Sequence, residues 1–216
     1  MKIAVIGSTG FVGTSIVNEL RHRKFEVLGI SNLDKTSTDP NLKYVNLDVN
    51  NTAELANPLK GYDVLISAYS AGWANPNYQE DYINSSVSIL NAARIAGVAR
   101  YIVIGGSGSL YVADGVQAVD TDMFPEEFKT VARAAKAYYL NHLIIEASVE
   151  WLYFSPPFEM HPGIDKGRTG KYRFGVMHPI LDETGKCSIS VEDLAVAVVD
   201  EMENKNFSKT IYTVGY

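Results

Sequence analysis

A run of apolar residues, Ile3-Ala4-Val5-Ile6, leads directly into glycines at positions 7, 10 and 13. Mostly β-branched and uninterrupted, such a run suits a strand buried on both faces. The glycines then restrict what can follow. Gly7 permits a tight turn, Gly10 lets a pyrophosphate approach the main chain, and Gly13 lets a helix from Phe11 to about Arg23 lie close against the strand. The free amides of this segment, around Thr9, Phe11 and Val12, and the positive end of the helix dipole would hold the phosphates. A glycine turn with no ligand has the same local sequence. Position favours the dinucleotide reading, because the pattern directly follows a buried-type strand and precedes an amphipathic helix.

Composition narrows the alternatives. A chain of 216 residues can build one well-cored domain, and an α/β sheet of about six or seven strands would use nearly all of it. The net charge of -6 and a pI near 5.2 argue against a broad surface for nucleic acid or for a membrane of anionic lipid. No apolar run reaches the length of a membrane span, and no metal-ligand set stands out. Cys187 is the only cysteine, so no internal disulfide is possible. Met1-Lys2 runs straight into the first strand without an apolar leader region, so a cytoplasmic protein is expected.

Strand and helix patterns alternate along the chain. Strands are expected at Phe25 to Ile30, Lys43 to Leu47, Asp63 to Ala68, Tyr101 to Ile104, Glu150 to Phe154 and Ile211 to Val214. Helices are expected at Thr52 to Leu59, about Tyr78 to Ala96, about Pro125 to Ala147, and from Ser190 to about Asn204. Tyr82, Val87, Leu90, Ala93 and Ile95 would form the inward face of the second of these. Lys171 to Phe174 and Leu181 to Ser190 read as short extended pieces. Asp193, three residues after Ser190, resembles a capping box.

Candidate ligand residues fall at the carboxyl ends of the strands, where open α/β sheets bind their ligands. After the second strand come Ser31 and Asn32, with Lys35 in reach, while Asp34 is too far along to serve as the ribose carboxylate. That favours NADP(H), with NAD(H) as the other possibility, although Lys35 also suits a solvated loop. Ser67-Ala68-Tyr69 would lie across the mouth of the cleft. Backbone groups at Ser155-Pro156-Pro157 could bond a nicotinamide carboxamide. The loop beyond, from Phe158 through His161 to Gly170, is the natural substrate lid, and Trp73, Tyr111, Phe158 and His161 would wall a flat acceptor. His161 could donate a hydrogen bond, or could simply be solvated.

The glycine turn, Asp48, Gly105-Gly106-Ser107, Ser155-Pro156-Pro157 and the stretch from Ile189 to Ala195 together resemble an atypical short-chain dehydrogenase/reductase. Gly105 to Leu110, the Ser-Pro-Pro turn and Arg168-Thr169-Gly170-Lys171-Tyr172-Arg173 are similar to the bacterial NADH-flavin reductase-like subgroup, akin to mammalian flavin reductase, also known as biliverdin-IXβ reductase. The resemblance implies a Rossmann-like, doubly wound, mostly parallel sheet with helices on both faces. It also implies one NAD(P)-binding domain over 1–216, with a small C-terminal substrate lobe at about 155–190.

Asp48, next to Val49, would meet the adenine amino group, unless it only caps the next helix. Ser107 falls at the active-site serine and Lys136 near the catalytic lysine. Ala132 stands where the family places its tyrosine, so the usual acid is missing or displaced. The subgroup implies hydride transfer to a flat acceptor such as free flavin or a quinone, with flavin a substrate and not a resident group, in a monomer or homodimer. Two alternatives stay open: an NAD(P)-binding sensor without chemistry, and a nucleotide-sugar epimerase or dehydratase.

Overall fold

The sheet grows outward from its first strand in both directions. The computed structural model describes residues 1–216. The first half of the chain forms β1 (Lys2–Ile6), α1 (Phe11–His22), β2 (Glu26–Ser31), β3 (Leu42–Asn46), α2 (Thr52–Leu59), β4 (Val64–Ser67) and α3 (Tyr78–Ala96). It continues with β5 (Arg100–Ile104), a hairpin of β6 (Tyr111–Ala113) and β7 (Val116–Gln117), α4 (Glu126–Tyr138) and β8 (Glu150–Phe154). The chain ends with β9 (Arg173–Val176), α5 (Val191–Asn204) and β10 (Ile211–Gly215). The main sheet has the order β3-β2-β1-β4-β5-β8-β10-β9. Every neighbouring pair is parallel except β9 with β10.

Alternation along β1 explains why the sheet is covered on both faces. Ile3 and Val5 enter a core shared with Ile16, Val17 and Leu20 of α1 and with Leu194 and Val198 of α5. Ala4 and Ile6 enter the opposite core, with Leu55 and Leu59 of α2, Ile89 and Leu90 of α3, and Ala135 and Tyr138 of α4. The chain turns one way from β1 to β2 and β3 and the other way from β1 to β4 and β5. The crevice at this reversal is where a doubly wound sheet receives a ligand. Ile6 lies level with Ser67, Ser67 with Val103, and Ile104 with Phe154, so four strands end along one rim.

Four details depart from the sequence pattern. The hairpin β6–β7 was not signalled, because its strands are only three and two residues long. Within the stretch 155–190, β9 adds to the edge of the main sheet, and the expected extended piece from Leu181 to Ser190 contributes only a bridge between Ser188 and Glu159. Ile95 lies on the solvent side of α3. The α4 helix stops at Tyr138 and continues as one wide π turn, Tyr139–Leu143, in which Tyr139 and Leu143 are buried.

The turn from this segment into β8 is held by Glu146. Its buried carboxylate accepts from the Ser148 and Val149 amides at 2.5 and 2.9 Å and from the Ser148 hydroxyl at 2.6 Å, and it pairs with Arg94 of α3. Burial pushes this carboxyl up, but the bonds from Ser148 and the Arg94 guanidinium outweigh it and lower the pKa to about 2. A depressed carboxylate stabilises the fold above its unfolded pKa, and that contribution disappears as pH falls through the folded value. Glu146→Gln is therefore expected to cost about 3 kcal/mol at neutral pH, with the difference from wild type shrinking between about pH 4.5 and pH 2. Urea denaturation across that range is the measurement, and a pH-independent difference would contradict it.

Candidate active site

At the turn after β1 the main chain is packed as closely as it can be. Gly7 has a φ of +72°, and a Cβ there would stand 2.4 Å from the Ala68 carbonyl oxygen. A Cβ on Gly13 would stand 2.1 Å from the Gly7 carbonyl oxygen. At Gly10 the nearest atom would be that same oxygen at 3.3 Å, so the ground in front of it is open. The Gly7 and Ser8 amides donate to the Ile30 carbonyl at 2.9 and 3.3 Å, and the buried Ser8 hydroxyl does so at 3.2 Å. The turn is thereby tied to the end of β2. No side chain caps α1 and no acidic residue stands in its first turn, although each of the other four α-helices has one there. The amides of Phe11 and Val12 and the positive helix end are left for an anion.

Beside this turn, the ends of β2, β3 and β4 form a polar shelf. Ser31 is buried, and its hydroxyl is in a local turn with the carbonyl and amide of Leu33, at 3.0 and 3.3 Å. Asn32 is exposed. Asp34 accepts from the Asn46 side chain at 2.9 Å, and the Lys35 ammonium lies 4.7 Å from the centre of the Tyr44 ring. Asp48 is exposed and accepts from both the amide and the side chain of Asn50 through Oδ1, leaving Oδ2 without a protein partner. Its neighbour Val49 is buried, and the Val49 carbonyl accepts from Ser88 at 2.6 Å. A hydrogen-bonded relay then runs from Asn50 through Ser85 to the Tyr69 hydroxyl, with steps of 2.8 and 2.9 Å. It links the third strand's end to Ser67-Ala68-Tyr69.

Further along the rim, the Gly105–Ser109 turn is moulded around Tyr153 of β8. A Cβ on Gly105 would lie 2.0 Å from the Tyr153 ring. The buried Tyr153 hydroxyl meets the Gly106 amide at 3.2 Å and the Ser109 hydroxyl at 3.1 Å, and burial pushes its pKa up to about 12. Ser155 closes the turn from below. Its hydroxyl donates to the Gly106 carbonyl at 2.7 Å and its amide to the Tyr212 carbonyl at 2.8 Å. The Ser155 hydroxyl and amide are thus engaged within the fold, and Pro156 and Pro157, which have no N–H, are buried, so the backbone groups this turn can offer a ligand are carbonyls. Ser107, in contrast, is half-buried and its hydroxyl has no partner in the protein.

α4 presses on the same turn. Ala132 is buried, and its methyl would be 2.7 Å from a Cβ on Gly108. Position 132 is therefore filled by packing. Lys136, one turn on, pairs with Asp120 at 2.5 Å. Tyr138 is fully buried with its phenol pKa raised, chiefly by that burial, so it offers no acid to the cleft. His161 is exposed and accepts from the Gly163 amide at 3.1 Å through Nδ1. Of the expected wall, Trp73 and Phe158 are exposed, while Tyr111 lies beside His178, its carbonyl 2.8 Å from the His178 ring.

The segment from Arg168 to Arg173 fastens the loop beyond β8. Arg168 makes two bonds, at 2.7 and 2.9 Å, to Glu19, a buried carboxylate of α1 that also holds Arg23. The fully buried Asp193 accepts from the Thr169 amide and hydroxyl, the Gly170 amide and the Tyr216 hydroxyl, at 2.6 to 2.9 Å. Ser190 does cap α5, accepting from the Asp193 amide at 3.2 Å, but the Asp193 carboxylate turns to this strap, so only half of the capping box forms. Tyr172 donates to Asp200 at 2.5 Å. Glu19 could have been noticed in the sequence as a charge among Ile16, Val17 and Leu20 on the apolar stripe of α1. Nothing in the sequence names its partner. A cavity of about 200 Å³ beside this joint is lined only by Ser15, Asn18, Glu19, His22, Arg168 and Glu192, with no hydrophobic residue among them.

A profile of the NAD(P)H-binding family matches residues 7–205. A solved structure from Bacteroides thetaiotaomicron, provisionally named an epimerase, is 36% identical, aligned over 100% of this chain and 96% of its own, with a TM-score of 0.90. A Burkholderia pseudomallei structure, provisionally named an exported protein, is 36% identical over 100% of both chains, with a TM-score of 0.88. A Streptococcus pneumoniae structure, provisionally named an NADH-flavin reductase, is 29% identical over 100% of this chain and 99% of its own, with a TM-score of 0.86.

Two consequences can be checked. Ala132→Tyr is expected to destabilise by about 1–3 kcal/mol through overpacking against Gly108, and to create no alcohol dehydrogenation; denaturation curves and NADP+ reduction with secondary alcohols would decide. Asp193→Asn places an amide among donors and is expected to cost about 2–3 kcal/mol. Amide exchange should accelerate at residues 167–172, and unchanged protection there would show that the strap is held by something else.

Proposed function

The chain belongs to the NAD(P)H-binding family, and on that premise we propose that it is a reductase that passes hydride from NADPH to a flat acceptor such as free flavin or a quinone. The residues present fit the dinucleotide. Gly10 leaves open ground at a helix end that carries no acidic residue. The Phe11 and Val12 amides would hold the pyrophosphate, and Asp48 Oδ2 would take the adenine amino group. Asn32 and not a carboxylate follows β2 directly, Asp34 is bonded to Asn46, and Lys35 stands over the Tyr44 ring. That arrangement favours the extra phosphate of NADPH over NADH.

When bound, reduced nicotinamide supplies the hydride. The protein's part is alignment, exclusion of water and a hydrogen bond where charge develops. Ser107 is the group for that bond, because its hydroxyl is free while Tyr153 and Ser155 fix the turn beneath it. The observation that carries the reading is Ala132 packed on Gly108. Ketone reduction and sugar epimerisation move a proton on or off an alcohol oxygen, and a positioned acid or base contributes about 10²- to 10⁴-fold there. A flat, delocalised acceptor places no such demand on the protein.

Oxidation of NADPH and NADH followed at 340 nm, with FMN, riboflavin and a simple quinone as acceptors, is the test. NADPH is expected to be the better donor, Gly10→Trp to abolish turnover, and Ser107→Ala to slow it about tenfold, the equivalent of about one hydrogen bond. Binding of either dinucleotide without turnover above the buffer rate would overturn the reading and identify a sensor.

A further inference from the structure

One aromatic contact at the acceptor end joins two segments that the sequence gives no reason to connect. Trp73, on the loop after β4, meets Phe128, in the first turns of α4, edge to face, with ring centres 5.8 Å apart and planes at 80°. Both remain open to solvent, Trp73 at 68% and Phe128 at 44%. Phe128 is not an isolated surface residue. It precedes Ala132 by four positions and Ala135 by seven, so it lies on the same stripe of α4. That stripe faces the Ser107 turn, since Ala132 packs on Gly108 and Ala135 lies 3.5 Å from a Cβ built on Gly106. Phe124, a turn earlier, reaches Gly108 as well, its ring 3.2 Å from a Cβ built there. The loop that carries Trp73 leaves β4 through Ala68, whose carbonyl oxygen is the atom that forbids a side chain on Gly7. One partner is thus anchored to the glycine turn and the other to the serine turn.

The geometry points to Phe128 as a positioning residue that holds the Trp73 indole as a stacking platform for a planar heteroaromatic acceptor. This inference rests on the reductase reading and names the acceptor class for it. An edge-to-face pair fixes an indole's plane without covering both of its faces. A ring so held offers a flat surface of low conformational entropy to a tricyclic system such as isoalloxazine, and little to an aliphatic carbonyl. The aromatic residue comes one helical turn before Ala132, on the stripe that faces the serine turn.

The chain has two tryptophans, and Trp151 is 3% exposed, so Trp73 is the one that an added ligand can reach. The test is titration of FMN into the NADP+-loaded protein, read by tryptophan emission corrected for FMN absorption, alongside steady-state kinetics with NADPH. FMN is expected to quench the solvent-exposed component, which disappears in Trp73→Leu. Phe128→Ala should raise the FMN dissociation constant and the KM for FMN about tenfold, with NADPH binding and kcat nearly unchanged, and Phe128→Tyr should restore both. No quenching by FMN, or a Phe128→Ala variant with wild-type KM, overturns the assignment. Quenching without NADPH oxidation would leave the platform standing and sink the reductase reading; oxidation without quenching would do the reverse.

Discussion

The whole rim of the sheet depends on how closely α1 lies on the end of β1. The two contacts that fix this distance, Gly13 on Gly7 and Gly7 on Ala68, are between main-chain atoms, so no change of rotamer could relieve a side chain at either glycine. Because α1 sits there, its first amides face the crevice between β1 and β4, and the exit of β4 is held against the same turn. Both the first amides of α1 and the loop that carries Trp73 take their position from this one packing constraint. The Gly105 turn repeats the device on a different footing, since there the missing side chain makes room for the Tyr153 ring.

The two halves of the cleft are built from different materials. At the glycine-turn end the exposed groups are largely main-chain amides, and the Ser8 and Ser31 hydroxyls bond to the main chain around them. Further along the rim, Ser107 keeps a free hydroxyl, while several of its neighbours are engaged within the fold. Lys136 pairs with Asp120, Ser155 supports Gly106, and Ala132 fills a packing contact.

What could be read from the sequence was local. Three glycines after a β-branched strand define a turn by steric rules that act within a dozen residues, and Thr52–Leu59, Tyr78–Ala96 and Glu150–Phe154 were each delimited by short-range signals. Contacts between distant side chains were not legible. That the Ser155 hydroxyl closes the neighbouring turn on the Gly106 carbonyl, 49 residues earlier, has no local signal. The segment from Arg168 to Arg173 reads as part of a substrate loop, yet Arg168 finds its partner 149 residues earlier, in α1. Phe128 and Tyr153 gave only an apolar signal, because hydrophobic pattern records burial and not the identity of the neighbour. The hairpin at Tyr111 was too short for any periodicity to register.

The packing of α1 against α5 also has a consequence for how the chain is made. The face of α1 that carries Ile16, Val17 and Leu20 is completed by Leu194, Val198 and Val199, and Arg23 reaches Glu203 across a separation of 180 residues. A chain leaving the ribosome exposes its first helix early and must wait for nearly the last one to cover it. One side of the sheet can assemble during synthesis from α2, α3 and α4 as they emerge, while the other stays open until the C-terminal segment is released. The first helix is therefore born with an uncovered apolar face, which stays exposed for most of the time the chain takes to emerge.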